Sequence, residues 1–249
     1  MSNLEGKVIA ITGAGQGLGR AASLALSQAG AKVALLGRTL SKLESVCEAA
    51  NGEVMALETD VGNPDSVNAA FERIGAHWGG VDMLINNAAW YPIFKIESAT
   101  DDQINQSINA NFIGAVYCIR AAIPQMRAKG GGHIINVSSE SVHSPIPFLT
   151  LYAAGKAGLE VLTRGLKTEL RPDNIRVTLL RIGGIADPDK TTAQFDPAVA
   201  AEFRKAFVES GARAMVGGGV KLETITAKIQ EILELSDEAS IDELELRSR

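Results

Sequence analysis

Apolar residues in this chain come in short runs separated by longer amphipathic stretches. Lys7–Thr12 (KVIAIT) is short and mostly apolar, and the segment AASLALSQAGA that follows a glycine cluster reads as a helix. IINVSS, ending at Ser139, reads as a buried strand running into a loop. Followed along the chain, the pattern predicts strands near 7–12, 32–37, 53–58, 81–86, 132–138, 174–180 and 241–246. It predicts helices near 17–29, 40–50, 64–78, 101–128, 151–170 and 222–235. Strand–helix repetition of this kind implies an α/β Rossmann-type fold, a doubly wound parallel sheet of about seven strands with helices on both faces. Ligands of such sheets bind outside the carboxyl ends of the strands. No repeat, low-complexity tract or linker divides residues 1–249, so one domain is expected. Gly183 to Gly219 breaks the rhythm. It is too long for an αβ connection and reads as a substrate lid with its own helix near 196–209.

Two sets of residues carry chemistry. Gly13, Gln16, Gly17, Leu18 and Gly19 lie between the first strand and the first helix. Glycines there allow a tight turn and close backbone approach, and the helix N-terminus receives a pyrophosphate. The spacing is G-x-x-x-G-x-G. The second set is Ser139, Tyr152 and Lys156. In a helical YAAGK run, Tyr152 and Lys156 leave one face a turn apart. A neighbouring ammonium favours the phenolate and is expected to lower the Tyr152 pKa from its reference of about 10. The Ser139 hydroxyl can hold a substrate oxygen beside it, which suits proton transfer at a carbonyl or alcohol. Ser138 competes for that role, but strand alternation points the two serines to opposite faces.

TGAGQGLG, NNAA (Asn86–Ala89) and Ser139-x12-Tyr152-x3-Lys156 resemble the motifs of the short-chain dehydrogenases/reductases, in family order and at family spacing across nearly the whole chain. The resemblance selects Ser139 over Ser138. It implies a catalytic set of Asn111, Ser139, Tyr152 and Lys156, with Tyr152 and Lys156 also touching the cofactor. Asp60 and Val61 would flank the adenine, and Asn87, Ala88 and Ala89 would line the ribose, Ala89 replacing a family glycine. Asn111, in NANFIG, matches the family's helix-bending asparagine. The chain departs from the pattern after the sixth strand. The family's Pro-Gly and later threonine correspond to Ile182-Gly183 and to Asp187. Ile182 and Ile185 remain candidates to pack on the nicotinamide, with Thr191 and Thr192 as substitutes for the missing threonine.

The end of the second strand bears on cofactor choice. An NAD site places an acid there for the ribose 2′-hydroxyl. Here Gly37 and Arg38 stand in that place, and the Arg38 fork suits the 2′-phosphate of NADP. NADP is therefore expected over NAD, with Thr39 and Lys42 as further contacts. The substrate pocket is expected from Trp90–Phe94, from Glu140–Phe148, and from Phe195, Phe203, Phe207 and Met215 of the lid. These describe a fairly apolar carbonyl or alcohol substrate. Glu140 and His143 are candidates for a polar contact or for plain loop surface.

Composition narrows the classes. Apolar residues make up 46% and aromatics 5% of 249 residues, with a formal charge of −5. Basic residues are scattered, so neither nucleic acid nor an anionic membrane is an expected partner. The first residues do not form a signal peptide, and the two cysteines fit a reducing cytoplasm. No metal-ligand spacing appears, so no metal is expected. Ile225, Ile229, Ile232 and Leu233, with Ile241, Leu244 and Leu246, predict an apolar edge for a homo-oligomer, by resemblance a tetramer. Two competing readings remain: an NAD-dependent alcohol dehydrogenase of a degradative pathway, and a catalytically idle NADP-binding sensor or scaffold.

Overall fold

The computed structural model describes residues 3–187, 196–212, 217–236 and 238–248. Each predicted strand and helix forms at or within two residues of its expected bounds, with one exception. The first strand, β1 (Val8–Thr12), is buried along its whole length, as a central parallel strand covered on both faces requires. It feeds α1 (Gly17–Gln28), β2 (Lys32–Gly37), α2 (Leu40–Ala49), β3 (Val54–Glu58), α3 (Pro64–Trp78) and β4 (Met83–Asn86). The Asn63 side chain caps α3 by accepting from the backbone N–H groups of Asp65 and Ser66, with Pro64 at the first helical position.

The exception is the helix expected over 101–128. It forms as α4 (Asp101–Ile108), a π-helical turn over Asn109–Ile113, and α5 (Gly114–Ala128). Nothing in the apolar period marks the extra residue of a π turn. Beyond it lie β5 (Gly132–Ser139), α6 (Thr150–Glu169), β6 (Ile175–Ile182), β7 (Ile185–Ala186), α7 (Pro197–Glu209), β8 (Val220–Lys221), α8 (Leu222–Glu234) and β9 (Glu243–Leu246). The main sheet runs β3-β2-β1-β4-β5-β6-β9, all parallel. The order reverses between β1 and β4, the switch point where doubly wound sheets bind ligands.

Within the 183–219 segment, β7 and β8 pair as a small second sheet that the sequence pattern did not signal, and α7 forms at the expected lid helix. Thr191, Thr192, Phe195 and Met215 lie outside the described residues. The apolar face of α8 is used within the chain. Ile225, Ile229, Ile232 and Leu233 are all buried, and Leu244 and Leu246 pack against the same core. The helix half of the apolar edge expected for an oligomer thus packs into the protein's own core, while Ile241, Leu244 and Leu246 stay partly exposed. Among the described residues, the backbone edge of β9 lies at the end of the sheet, and Val161 of α6 is exposed, as are Leu40, Tyr91, Ile96 and Val208. Cys118 is fully buried and Cys47 half-buried, both free, and burial pushes the Cys118 thiol up to about 12.

Candidate active site

A cleft of about 790 Å³ opens at the carboxyl ends of the strands. Its floor begins with the glycine loop. Gly13 (φ 68°) and Gly17 (φ 53°) take left-handed conformations that side chains rarely adopt. A Cβ on Gly19 would fall inside the envelope of the Gly13 carbonyl oxygen, so the turn and α1 pack backbone to backbone. Gln16 sits at the N-cap of α1 but makes no side-chain cap, and the first turn carries no acid. The Gln16 amide oxygen instead accepts from Lys42 Nζ at 2.7 Å. The loop thus offers uncapped backbone N–H groups at a helix N-terminus and room for close approach, which fits a dinucleotide pyrophosphate.

The carboxyl ends of β2 to β6 contribute as well. Arg38, exposed after β2, lines the cleft with Thr39 and Lys42. After β3, Asp60 and Val61 line it too. The Asp60 carboxylate accepts from the Gly62 N–H, and Val61 is wedged so closely against Gly114 that a Cβ there would lie 2.7 Å from it. Asn87, Ala88 and Ala89 follow β4, and Ala89 is exposed to the cleft, so its methyl meets no packed neighbour. Thr12 holds this turn: its Oγ1 accepts from the N–H groups of Asn87 and Ala88, both at 3.0 Å. Thr12 lay in the quoted motif without a role assigned to it. Ile182 and Ile185 also line the cleft. Asp187 instead faces the glycine loop, its Oδ2 3.4 Å from where a Gly17 Cβ would stand.

Ser139, Tyr152 and Lys156 meet on the opposite wall. Ser139 Oγ accepts from the Ser141 N–H at 3.2 Å and shares a hydrogen bond with the Tyr152 phenol. Lys156, 2% exposed, donates from Nζ to the Val137 carbonyl at 2.8 Å, and its Nζ lies 6.0 Å from the Tyr152 ring centroid. The expected lowering of the Tyr152 pKa is not found in the chain by itself. Burial pushes the phenol up to about 12, with Tyr91 adding to the rise against the pull of Ser139. Burial likewise brings Lys156 down to about 8.

Asn111 lies off the main cleft, in the π turn. It is buried and fully partnered: Nδ2 donates to the Trp90 and Ser107 carbonyls at 2.6 and 2.9 Å, and Oδ1 accepts from the Trp90 N–H at 3.1 Å. With Lys156 it lines a second, very small pocket of about 10 Å³.

The expected pocket wall is only partly one. Ile93 and Phe94 are buried among other residues, so they pack rather than face a ligand. Tyr91 is exposed and meets the Tyr152 ring edge-on at 5.9 Å. Phe148 stacks edge-on against Phe203, which in turn meets Phe207, and Lys95 bridges to Glu202 of α7. His143 is exposed, whereas Glu140 is buried rather than at the surface. One Glu140 oxygen has no hydrogen-bond partner among the described residues. Burial raises the Glu140 carboxyl, opposed by the Gly184 N–H and Arg247.

Sequence reasoning missed a charged cluster behind this wall. Glu160 and Arg181 form a buried pair that also takes in Ser138. Burial pushes the Glu160 carboxyl up, but hydrogen bonds from Arg181 and Ser138 outweigh it and leave it below its ordinary value.

A family model described as short chain dehydrogenase matches residues 7–197. An uncharacterized oxidoreductase of Staphylococcus saprophyticus is 37% identical over 189 residues, 75% of this chain and 77% of the relative. An uncharacterized oxidoreductase of Staphylococcus aureus is 33% identical over 198 residues, 79% of this chain and 85% of the relative. The chain belongs to the short chain dehydrogenase family of oxidoreductases. Among solved structures, a metagenomic short-chain oxidoreductase in complex with NADP superposes with a TM-score of 0.82 at 26% identity, covering 100% of this chain and 99% of that one. L-Sorbose reductase from Gluconobacter frateurii, complexed with NADPH and L-sorbose, gives 0.84 at 27% identity over 98% and 96%. No described helix is long and apolar enough to cross a membrane.

Proposed function

We propose that the protein is an NADP-dependent oxidoreductase that interconverts a ketone and a secondary alcohol. The observation that carries this is the convergence of Ser139, Tyr152 and Lys156 on one wall of the cleft whose floor is the glycine loop. NADP is supported by Arg38 at a strand end that lacks an acid, and by two similar structures that hold NADP or NADPH. Gly13, Gln16, Gly17, Leu18 and Gly19 would hold the pyrophosphate, Asp60 and Val61 the adenine, Asn87, Ala88 and Ala89 the ribose, and Ile182 and Ile185 the nicotinamide. The bound cofactor supplies or accepts the hydride.

The chain's own groups handle the oxygen and its proton. Ser139 orients the substrate oxygen, and Tyr152 gives it a proton. With burial pushing the phenol up to about 12, Tyr152 carries its proton at neutral pH, the form that donation requires. Lys156 holds its position through the Val137 carbonyl and binds the cofactor ribose. The small pocket it shares with Asn111 has about the size of one water, and Asn111 carries the role of supporting the proton relay that the family resemblance implies.

Tyr91, Phe148, Phe203 and Phe207 favour a fairly apolar substrate under a lid formed by 183–219. The same reading gives one catalytic domain, a cytoplasmic setting and a homotetramer. The open β9 edge and exposed Val161 are the remaining surface support for association. A panel of aryl ketones, alkyl ketones, a ketose and their alcohols, run with both nucleotides, tests the proposal. NADPH-linked reduction of at least one ketone is expected. No turnover of any carbonyl with either nucleotide would overturn it.

A further inference from the structure

The charged cluster behind the reacting groups has no part in the chemistry just described. Arg181, the residue before Ile182 in β6, is 6% exposed, and Glu160 in α6 is 3% exposed. Arg181 Nε donates to Glu160 Oε1 at 2.9 Å and Nη2 to Oε2 at 2.8 Å, the two-pronged fit of a guanidinium on a carboxylate. The Ser138 hydroxyl donates to the same Oε1 at 2.7 Å, and Arg181 Nη1 reaches Glu245 Oε2 of β9 at 3.3 Å.

An ion pair at this depth is weak evidence for stability, because desolvation offsets much of the attraction. Its location is more telling. Ser138 is the residue before Ser139. Glu160 stands one turn beyond Lys156 and two beyond Tyr152. Arg181 precedes Ile182, which lines the cleft. The cluster thus joins β5, α6 and β6 where each delivers a side chain to the site.

We infer that the Glu160–Arg181 pair, with Ser138, is a positioning device that fixes Ser139 relative to Tyr152. This rests on the function proposed above. Ser138 and Ser139 point to opposite faces of β5. The strand is therefore gripped through Ser138 on the face opposite Ser139, at the end of β5 that lines the cleft. A misplacement of about 1 Å between reacting groups costs on the order of 10²-fold in rate, so such a grip matters to turnover before it matters to folding.

The test is the double variant Glu160→Met with Arg181→Met, which replaces the pair with apolar side chains and leaves no lone buried charge. The expected result is a Tm at or above the wild-type value, an unchanged NADPH Kd, and a kcat lower by about ten- to a hundredfold. A folded double variant with wild-type kcat overturns the inference. Should it not fold, Ser138→Ala decides, since the ion pair stays and only the tie to β5 goes. Loosening this tie is expected to lower kcat by about tenfold, with rescue by Ser138→Thr. Wild-type kcat in Ser138→Ala overturns the inference. Hydrogen exchange over residues 137–142 needs no substrate. Exchange about tenfold faster in Ser138→Ala, with α1 unchanged, supports the grip; unchanged exchange overturns it. That arm stands even if the carbonyl panel shows no turnover, a result that refutes the proposed reaction and not the grip.

Discussion

The two walls of the cleft are built from different materials. The glycine-loop side uses backbone: left-handed Gly13 and Gly17, a Gly19 with no room for a methyl, and an uncapped helix N-terminus. The β5–α6 side uses side chains, several of them buried and charged, each held by a specific partner. Backbone recognises what cofactors of this class share, a pyrophosphate and a ribose. On the other wall side chains position one reacting oxygen and one proton, and Lys156 also reaches for the cofactor ribose in the proposed reaction. The contrast implies that binding and turnover can be damaged separately.

The largest separation is expected at Tyr152. Tyr152→Phe keeps the ring packing and removes the proton, so steady-state ketone reduction should fall about 10²–10⁴-fold. Next comes the opposite wall. Gly19→Ala forces a methyl against the Gly13 carbonyl, and overpacking of about 1–3 kcal/mol should weaken NADPH about five- to a hundredfold by fluorescence titration. Arg38→Ala should weaken kcat/KM for NADPH by about ten- to a hundredfold through the loss of a charge-assisted contact, and should barely change NADH. An equal loss with both nucleotides would remove Arg38 from 2′-phosphate recognition.

Two smaller effects follow from titration. Reduction needs protonated Tyr152 and charged Lys156. As pH rises, Lys156, near 8, loses its proton before Tyr152, near 12, so kcat/KM for reduction should fall above pH about 8. A profile flat to pH 10 would contradict the buried ammonium. His133 lies at the far end of β5, away from both walls, and burial then Arg176 hold it down to about 3. Its folded pKa lies below the unfolded value, so its contribution is complete above about pH 6.5 and is lost as pH falls toward 3. Between pH 6.5 and 4.5 the wild type should lose about 2–3 kcal/mol more than His133→Gln in denaturant unfolding.

The same contrast explains what could be read from the sequence. Glycines at fixed offsets between an apolar strand and a helix have few other uses, so the cradle, the doubly wound parallel sheet and the Ser139–Tyr152–Lys156 wall were all legible. Glu160 and Arg181 were not. A charged residue in an amphipathic helix reads as solvated, and only the fold brings Arg181 of β6 against it. The π turn at Asn109–Ile113 was hidden because apolar spacing runs through it unbroken. The pKa of Tyr152 was misjudged for a related reason. Spacing places Lys156 one turn away but says nothing of the burial that pushes the phenol up. Trp90–Phe94 reads as one apolar patch, yet Tyr91 turns outward while Ile93 and Phe94 turn into the protein.

The division between a binding wall and a reacting wall is tested most directly by titrating NADPH into Tyr152→Phe and wild type side by side. Phenylalanine preserves the ring and leaves the glycine loop and Arg38 untouched, so the two dissociation constants should agree within about threefold, less than 1 kcal/mol. A Kd weakened by about tenfold or more, near 1.4 kcal/mol, would show that the phenol is part of the cofactor's grip and would contradict the account.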